Sequence, residues 1–163
     1  MGWVNLPLVL ILALVGLLAA AGIEDARRRE IANGTNAAIA LLAPVWWWAN
    51  GLAPWPDMAI QFGAAAVVFL LFVAVFAAGW MGGGDVKLIG ALALWLPLGA
   101  VATMLVVMSI AGGAVTLLMV ADQRLRRRPG VEASAPIEVP YGVAIAFAGL
   151  LALREPILNQ FSS

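Results

Sequence analysis

From Leu88 to Val120 the chain runs 33 residues without one charged side chain. As a single helix that run would be about 50 Å long at roughly 1.5 Å per residue. The hydrocarbon core of a bilayer is only about 30 Å thick. The run must therefore break, and Pro97-Leu98-Gly99 is the place, because proline cannot continue a helix. Two spans result, Val86 to Leu96 and Gly99 to Val120. Four more apolar segments surround them: Val4 to Gly22, Thr35 to Trp48, Ala59 to Trp80 and Tyr141 to Leu153. In lipid each segment must satisfy its own backbone, which selects helices. The expected fold is all-α: a polytopic membrane helix bundle of about six transmembrane helices, one domain over residues 1–163.

Composition agrees. Hydrophobic residues make up 64% and charged residues 11%, against about 25% charged in soluble domains. The net charge is zero, so nothing points to nucleic acid. The chain has neither cysteine nor histidine. That removes disulfides, thiolate nucleophiles, thiol- or imidazole-bound zinc and Ser-His-Asp catalysis. Neither cofactor nor metal is implied. Acid–base chemistry would fall to carboxylates, Lys87, Tyr141 or arginines.

Orientation follows from the basic residues. Arg27-Arg28-Arg29 places the first loop in the cytoplasm by the positive-inside rule, and Arg124, Arg126, Arg127 and Arg128 do the same after the fifth span. Eight of the nine Lys and Arg residues then lie inside, Arg154 being the exception, and both termini lie outside. Ala19-Ala20-Ala21 resembles a signal-peptidase site. No Lys or Arg precedes the apolar run, however, so the first helix reads as retained. Trp46-Trp47-Trp48 reads as an interfacial belt. Gly112-Gly113 reads as a close helix contact. Pro129 to Pro136 reads as a polar loop.

Two acids stand out. Asp25 ends the first apolar segment, and Asp85 follows Gly82-Gly83-Gly84 at the start of the fourth. Both fall on the cytoplasmic side. The fourth span is short, so either Asp85 sits below the headgroups or the bilayer thins there. Ionisable groups beside a membrane span suggest function, although Asp85 could serve only as a helix cap. Two nearby carboxylates resist double ionisation, so their pKa values split. One can take a proton from water while the other donates to an oxyanion and leaving amine. The glycines admit close backbone approach, as an extended scissile peptide requires. They are not a phosphate loop, because Lys87 is followed by Leu88. Glu24 and Glu30 read as solvated, and Asp57 falls on the other face. Lys87 reads as a snorkelling anchor or a substrate contact.

Three patches carry a resemblance to a known family, the type IV prepilin peptidases, which are membrane aspartic proteases with a Gly-x-Gly-Asp motif. Asp25-Ala26-Arg27-Arg28-Arg29-Glu30-Ile31-Ala32-Asn33 is similar to the family's Asp, basic residues and Ile-Pro-Asn, with Ala32 replacing the proline. Gly82-Gly83-Gly84-Asp85-Val86-Lys87-Leu88 is close to the family pattern throughout. Val139-Pro140-Tyr141-Gly142-Val143-Ala144-Ile145-Ala146 resembles the family's Pro-Tyr-Gly-x-Ala stretch, which opens its last helix. The resemblance covers Val4 to Leu153. The long family members carry an N-terminal Cys-x-x-Cys region and also methylate their product. This chain has no such region and resembles the short type associated with tight-adherence (Flp) pili.

The resemblance implies that Asp25 and Asp85 are the catalytic pair and that Gly82, Gly83 and Gly84 shape the site. Lys87, Pro140, Tyr141 and Gly142 are candidates for substrate positioning. Pro140, Tyr141 and Gly142 can equally be a plain helix start with an interfacial tyrosine. The implied function is cleavage of prepilins or pseudopilins, which pair a short basic leader with an apolar helix, just after a glycine at that boundary and at the cytoplasmic face. The location is the cell's inner membrane, in the bilayer and near pilus assembly machinery. A proton or ion relay built on the same aspartates is the alternative.

Overall fold

The computed structural model describes residues 6–126 and 141–154, and nearly all of these are helical. The order is α1 (Leu6–Arg28), α2 (Asn33–Ala49), a short π-type turn (Pro54–Met58), α3 (Ala59–Ala77), α4 (Gly83–Ala93), α5 (Leu98–Arg126) and α6 (Tyr141–Ala152). Three stretches, Leu6–Arg28, Pro54–Ala77 and Leu98–Asp122, are long and apolar enough to cross a membrane. The chain breaks before Leu98 at Pro97, as expected. The segment Pro129 to Pro136, and with it Pro140, lies outside the described residues.

The first helix runs further than its apolar segment. It continues through Glu24 and Asp25 to Arg28. Arg27 and Arg28 sit in its last turn, where positive charge offsets the negative end of the helix dipole. Asp25 is therefore held on a helix rather than in a loop.

The short helices form the interior. Helix α4 packs against α2, α3, α5 and α6, and α6 packs against α1, α4 and α5. At 11 residues, α4 is only about 16 Å long. All of its residues from Leu88 to Ala93 are buried. Its last carbonyls thus end inside the apolar bundle, where an unsatisfied group would cost several kcal/mol.

Side chains from the neighbouring helices satisfy them. Gln61 Nε2 donates to the carbonyls of Ala93 at 2.9 Å and Leu96 at 2.7 Å. Trp47 Nε1 donates to Leu94 O at 2.7 Å. In return, Trp95 Nε1 donates to Ile39 O at 2.8 Å and its ring stacks on Trp46. This corrects the expectation of an interfacial tryptophan belt. Trp46 and Trp47 are buried and only Trp48 is exposed. Trp47 faces inward because α4 stops short and leaves an acceptor that needs an N–H donor, and Trp46 faces inward to stack on Trp95.

Candidate active site

The last turn of α1 carries Asp25, and the chain reverses just beyond it at Arg29, whose φ is 56°. The return is fastened by Glu24. Its Oε2 accepts the Ala32 N–H at 3.0 Å, and both carboxylate oxygens lie 3.2 Å from the Thr35 hydroxyl. Glu24 is thus a bridge between α1 and α2, not the solvated acid expected. The Ala32 N–H that it uses is the one a proline would lack.

Asp25 is only 5% exposed. A carboxylate at a helix C-terminus meets the negative end of that helix's dipole. Helix α6 offsets this by pointing its N-terminus at the same carboxylate. The Val143 N–H donates to Asp25 Oδ2 at 3.1 Å. Gly142 makes that approach feasible. A Cβ placed there would lie 2.8 Å from Asp25 Cγ and 2.8 Å from Ile31 Cδ1.

Asp85 sits in the first turn of α4, at the favourable end of that helix's dipole. Gly82 precedes the helix in extended conformation, and a Cβ there would come within 3.1 Å of Asp85 Oδ2. Gly84 lies against the Ile31 backbone, where a Cβ would be 3.4 Å from its nitrogen. Gly83 faces Phe76 instead. Ile31, itself buried, therefore touches both the α4 start and the α6 start. Burial raises the Asp85 carboxyl to about 6, the charge of Asp25 pushes the same way, and a backbone hydrogen bond at Gly82 works against both.

The two aspartates open on one cleft of about 1050 Å³ at the end of the bundle where α1 and α3 finish and α2, α4 and α6 begin. Arg28, Arg29, the three glycines and Tyr141 line it too. Tyr141 lies in the cleft wall with its ring against Gly112 of α5, where a Cβ would be 2.7 Å from Cε1. Lys87 is exposed at the rim, with Nζ donating to Asn33 Oδ1 at 2.7 Å. The arrangement can hold one ionised and one protonated carboxyl, able respectively to accept a proton from water and to donate one.

Of the residues expected at the site, Asp25, Gly82, Gly83, Gly84, Asp85, Lys87, Tyr141 and Gly142 converge here; Pro140 is not among the described residues. Gly142 abuts Asp25 itself, so its place is behind the carboxylate rather than facing a substrate. Three contributors were given no site role from the sequence. Val143 acts through its backbone and leaves no side-chain signal. Ile31 looks like any apolar residue. Asn36 did leave a signal, as a polar side chain inside an apolar helix. It is buried, and its Nδ2 donates to Gly84 O at 3.3 Å.

Fold and cleft define a class: a helical membrane protein with two aspartates meeting at one end of the bundle. The sequence model of the type IV leader peptidase family matches residues 2–117, and the chain belongs to that family. Membership makes it a hydrolase of the prepilin leader peptidase type, acting in a membrane setting. The match includes Asp25 and Asp85 and ends before α6. No curated protein and no solved structure matches the chain.

Proposed function

We propose that the protein is an aspartic endopeptidase that removes the short basic leader of type IV, Flp-like prepilins or pseudopilins. Cleavage follows a glycine at the cytoplasmic face of the inner membrane, and Asp25 and Asp85 are the catalytic pair. The observation that carries this reading is convergence. Two acids 60 positions apart in sequence share one cleft, and Asp85, with a pKa of about 6, keeps its proton far more readily than an ordinary aspartate.

In the proposed reaction the scissile peptide lies extended in the cleft beside Gly82, Gly83 and Gly84, whose missing side chains let Asp85, Phe76 and Ile31 close up around it. The ionised aspartate takes a proton from water, which attacks the carbonyl carbon. The protonated partner donates to the oxyanion and then to the leaving amine. Val143 N–H and the α6 dipole hold Asp25 in place through these steps. The cytoplasmic orientation rests on Arg27, Arg28 and Arg29, which lie at the cleft end of α1.

The test is reconstitution of the purified protein in liposomes with a prepilin from the same genome, followed by mass spectrometry of the product. A new N-terminus just after a glycine, insensitive to chelators, is expected. Proton flux across the vesicles with the precursor left intact would overturn the peptidase reading in favour of an ion relay.

A further inference from the structure

A second cavity opens beside the cleft. Helices α2 and α3 both pack on α4 and scarcely touch each other. The gap between them is an apolar groove of about 400 Å³, within the range of about 300–1,000 Å³ usual for ligand sites. Its walls are Ala37 and Ala40 on α2 and Ala65, Ala66 and Phe62 on α3, and its floor is Ala91 of α4 beside Gly90, which the Phe69 ring covers. Stripes of small residues let a foreign helix come close in lipid, but alone they say nothing about what does so.

Two further observations name the occupant. The groove and the catalytic cleft share Asn33 and Lys87, so the two adjoin at the Lys87–Asn33 hydrogen bond, and a chain leaving the cleft there crosses that bond into the groove. Asn36 also lines the groove, and its buried Oδ1 accepts no hydrogen bond. The Nδ2 bond to Gly84 O fixes which side-chain atom is the oxygen, so a spare acceptor sits at the cleft end of the groove. The groove spans Lys87 to Leu94 along α4, roughly 10 Å at about 1.5 Å per residue. That is the length of two helical turns. At the far end, Leu94 O already accepts the Trp47 indole N–H, so no spare acceptor is found there.

We infer that this groove seats the first two turns of the precursor's apolar helix, immediately downstream of the bond that is cut, with Asn36 Oδ1 accepting one of that helix's free N-terminal N–H groups. The first four N–H groups of any helix have no partner within it, which is what a buried lone acceptor can satisfy. This inference rests on the peptidase reading. It specifies how the substrate is held: the leader in the polar cleft and the membrane helix between α2 and α3.

The chain has no cysteine, so single-cysteine variants report cleanly. Ala40→Cys and Ala66→Cys mark the groove, and Leu117→Cys, on the exposed face of α5, is the control. Each is paired in liposomes with precursors carrying one cysteine in the first two turns of the apolar helix, then oxidised. Disulfide formation at residues 40 and 66 and none at 117 is expected. Cross-linking at 117 but not in the groove, or equal yields at all three, would overturn the assignment. Processing of the same precursors by the same variants before oxidation is scored separately. Cleavage without groove cross-links sinks the docking site and leaves the peptidase intact; absence of cleavage in all variants and in wild type sinks the peptidase.

Ala66→Trp fills the groove without touching the cleft. It should raise KM for the full precursor at least tenfold while leaving kcat/KM for a short soluble peptide spanning the cleavage site unchanged. Unchanged KM for the full precursor, as expected if lipid chains merely fill the groove, would also overturn the inference.

Discussion

Gly142→Ala adds one methyl group at the point where α6 meets Asp25. In the wild-type geometry that methyl would lie 2.8 Å from both Asp25 Cγ and Ile31 Cδ1 and 2.9 Å from Asp25 Cβ. Ordinary carbon contacts begin at 3.4 Å, so about 0.6 Å of movement is required. Neither neighbour is a loose surface group. Asp25 and Ile31 are both buried, and Asp25 is tied to Val143 of the helix that must move. Overpacking of this kind costs about 1–3 kcal/mol, reduced by up to about 1 kcal/mol because alanine favours helix over glycine. A net loss of about 1 kcal/mol leaves most of the protein folded. The catalytic cost is larger. A misplacement of about 1 Å lowers a rate by about 100-fold, so the shift should lower the processing rate on the order of 10- to 100-fold. Gly113→Ala is the matched control, since a Cβ there meets nothing within 4 Å. The assay is the initial rate of prepilin processing in liposomes, alongside thermal unfolding of each variant in one detergent. Gly142→Ala processing at the wild-type rate would refute the claim that α6 sets the position of Asp25. So would an equal loss in Gly113→Ala.

Four further outcomes follow from the same contacts. In Asp25→Asn the charge that helps hold Asp85 near 6 is gone, so the Asp85 pKa should fall while staying above the ordinary aspartate range, because burial persists; carbon NMR of labelled aspartate reads this, and an unchanged value would place the two acids out of electrostatic reach. Because the folded state binds that proton more tightly than the unfolded chain, Asp85 opposes folding increasingly as pH rises from 3.8 to about 6. Asp85→Asn should therefore melt higher than wild type above pH 6, with the gap closing in acid. Gln61→Leu removes the side-chain donor of Ala93 O and Leu96 O, leaving only Leu94 O with its Trp47 donor, and should cost about 1–3 kcal/mol by thermal or denaturant unfolding. Ala32→Pro fits the backbone, whose φ is already −60°, but deletes the N–H bound by Glu24. It should destabilise wild type and stabilise Glu24→Ala by about 0.4–1 kcal/mol; additive effects would contradict the Glu24 bridge.

The architecture was legible because one simple effect, the exclusion of charge from lipid, governs it. Uncharged runs bounded by charge or proline dictated the helices, and Pro97 marked the break within the longest run. The two aspartates were legible because a carboxylate beside a membrane span has few reasons to be there. Other features depended on distances that sequence does not encode. Trp46 and Trp47 looked interfacial because tryptophan commonly is. Trp47 turned inward because α4 ends early and leaves a carbonyl for an N–H reaching across from a neighbouring helix, and Trp46 turned inward onto the Trp95 ring. Glu24 looked solvated beside arginines, and its bonds to Ala32 and Thr35 exist only once the chain reverses at Arg29. The glycines separated in kind. Gly82 clears Asp85, Gly84 admits Ile31 and Gly142 admits Asp25, three different contacts behind one residue type.

The most direct test of the central claim uses the two single variants Asp25→Asn and Asp85→Asn, reconstituted with prepilin at equal density and shown by thermal unfolding to be folded. Each alone should reduce leader removal by several orders of magnitude, and neither should be rescued by the other's presence on a separate chain. Processing at the wild-type rate by either variant would mean that the two carboxylates do not act as a pair.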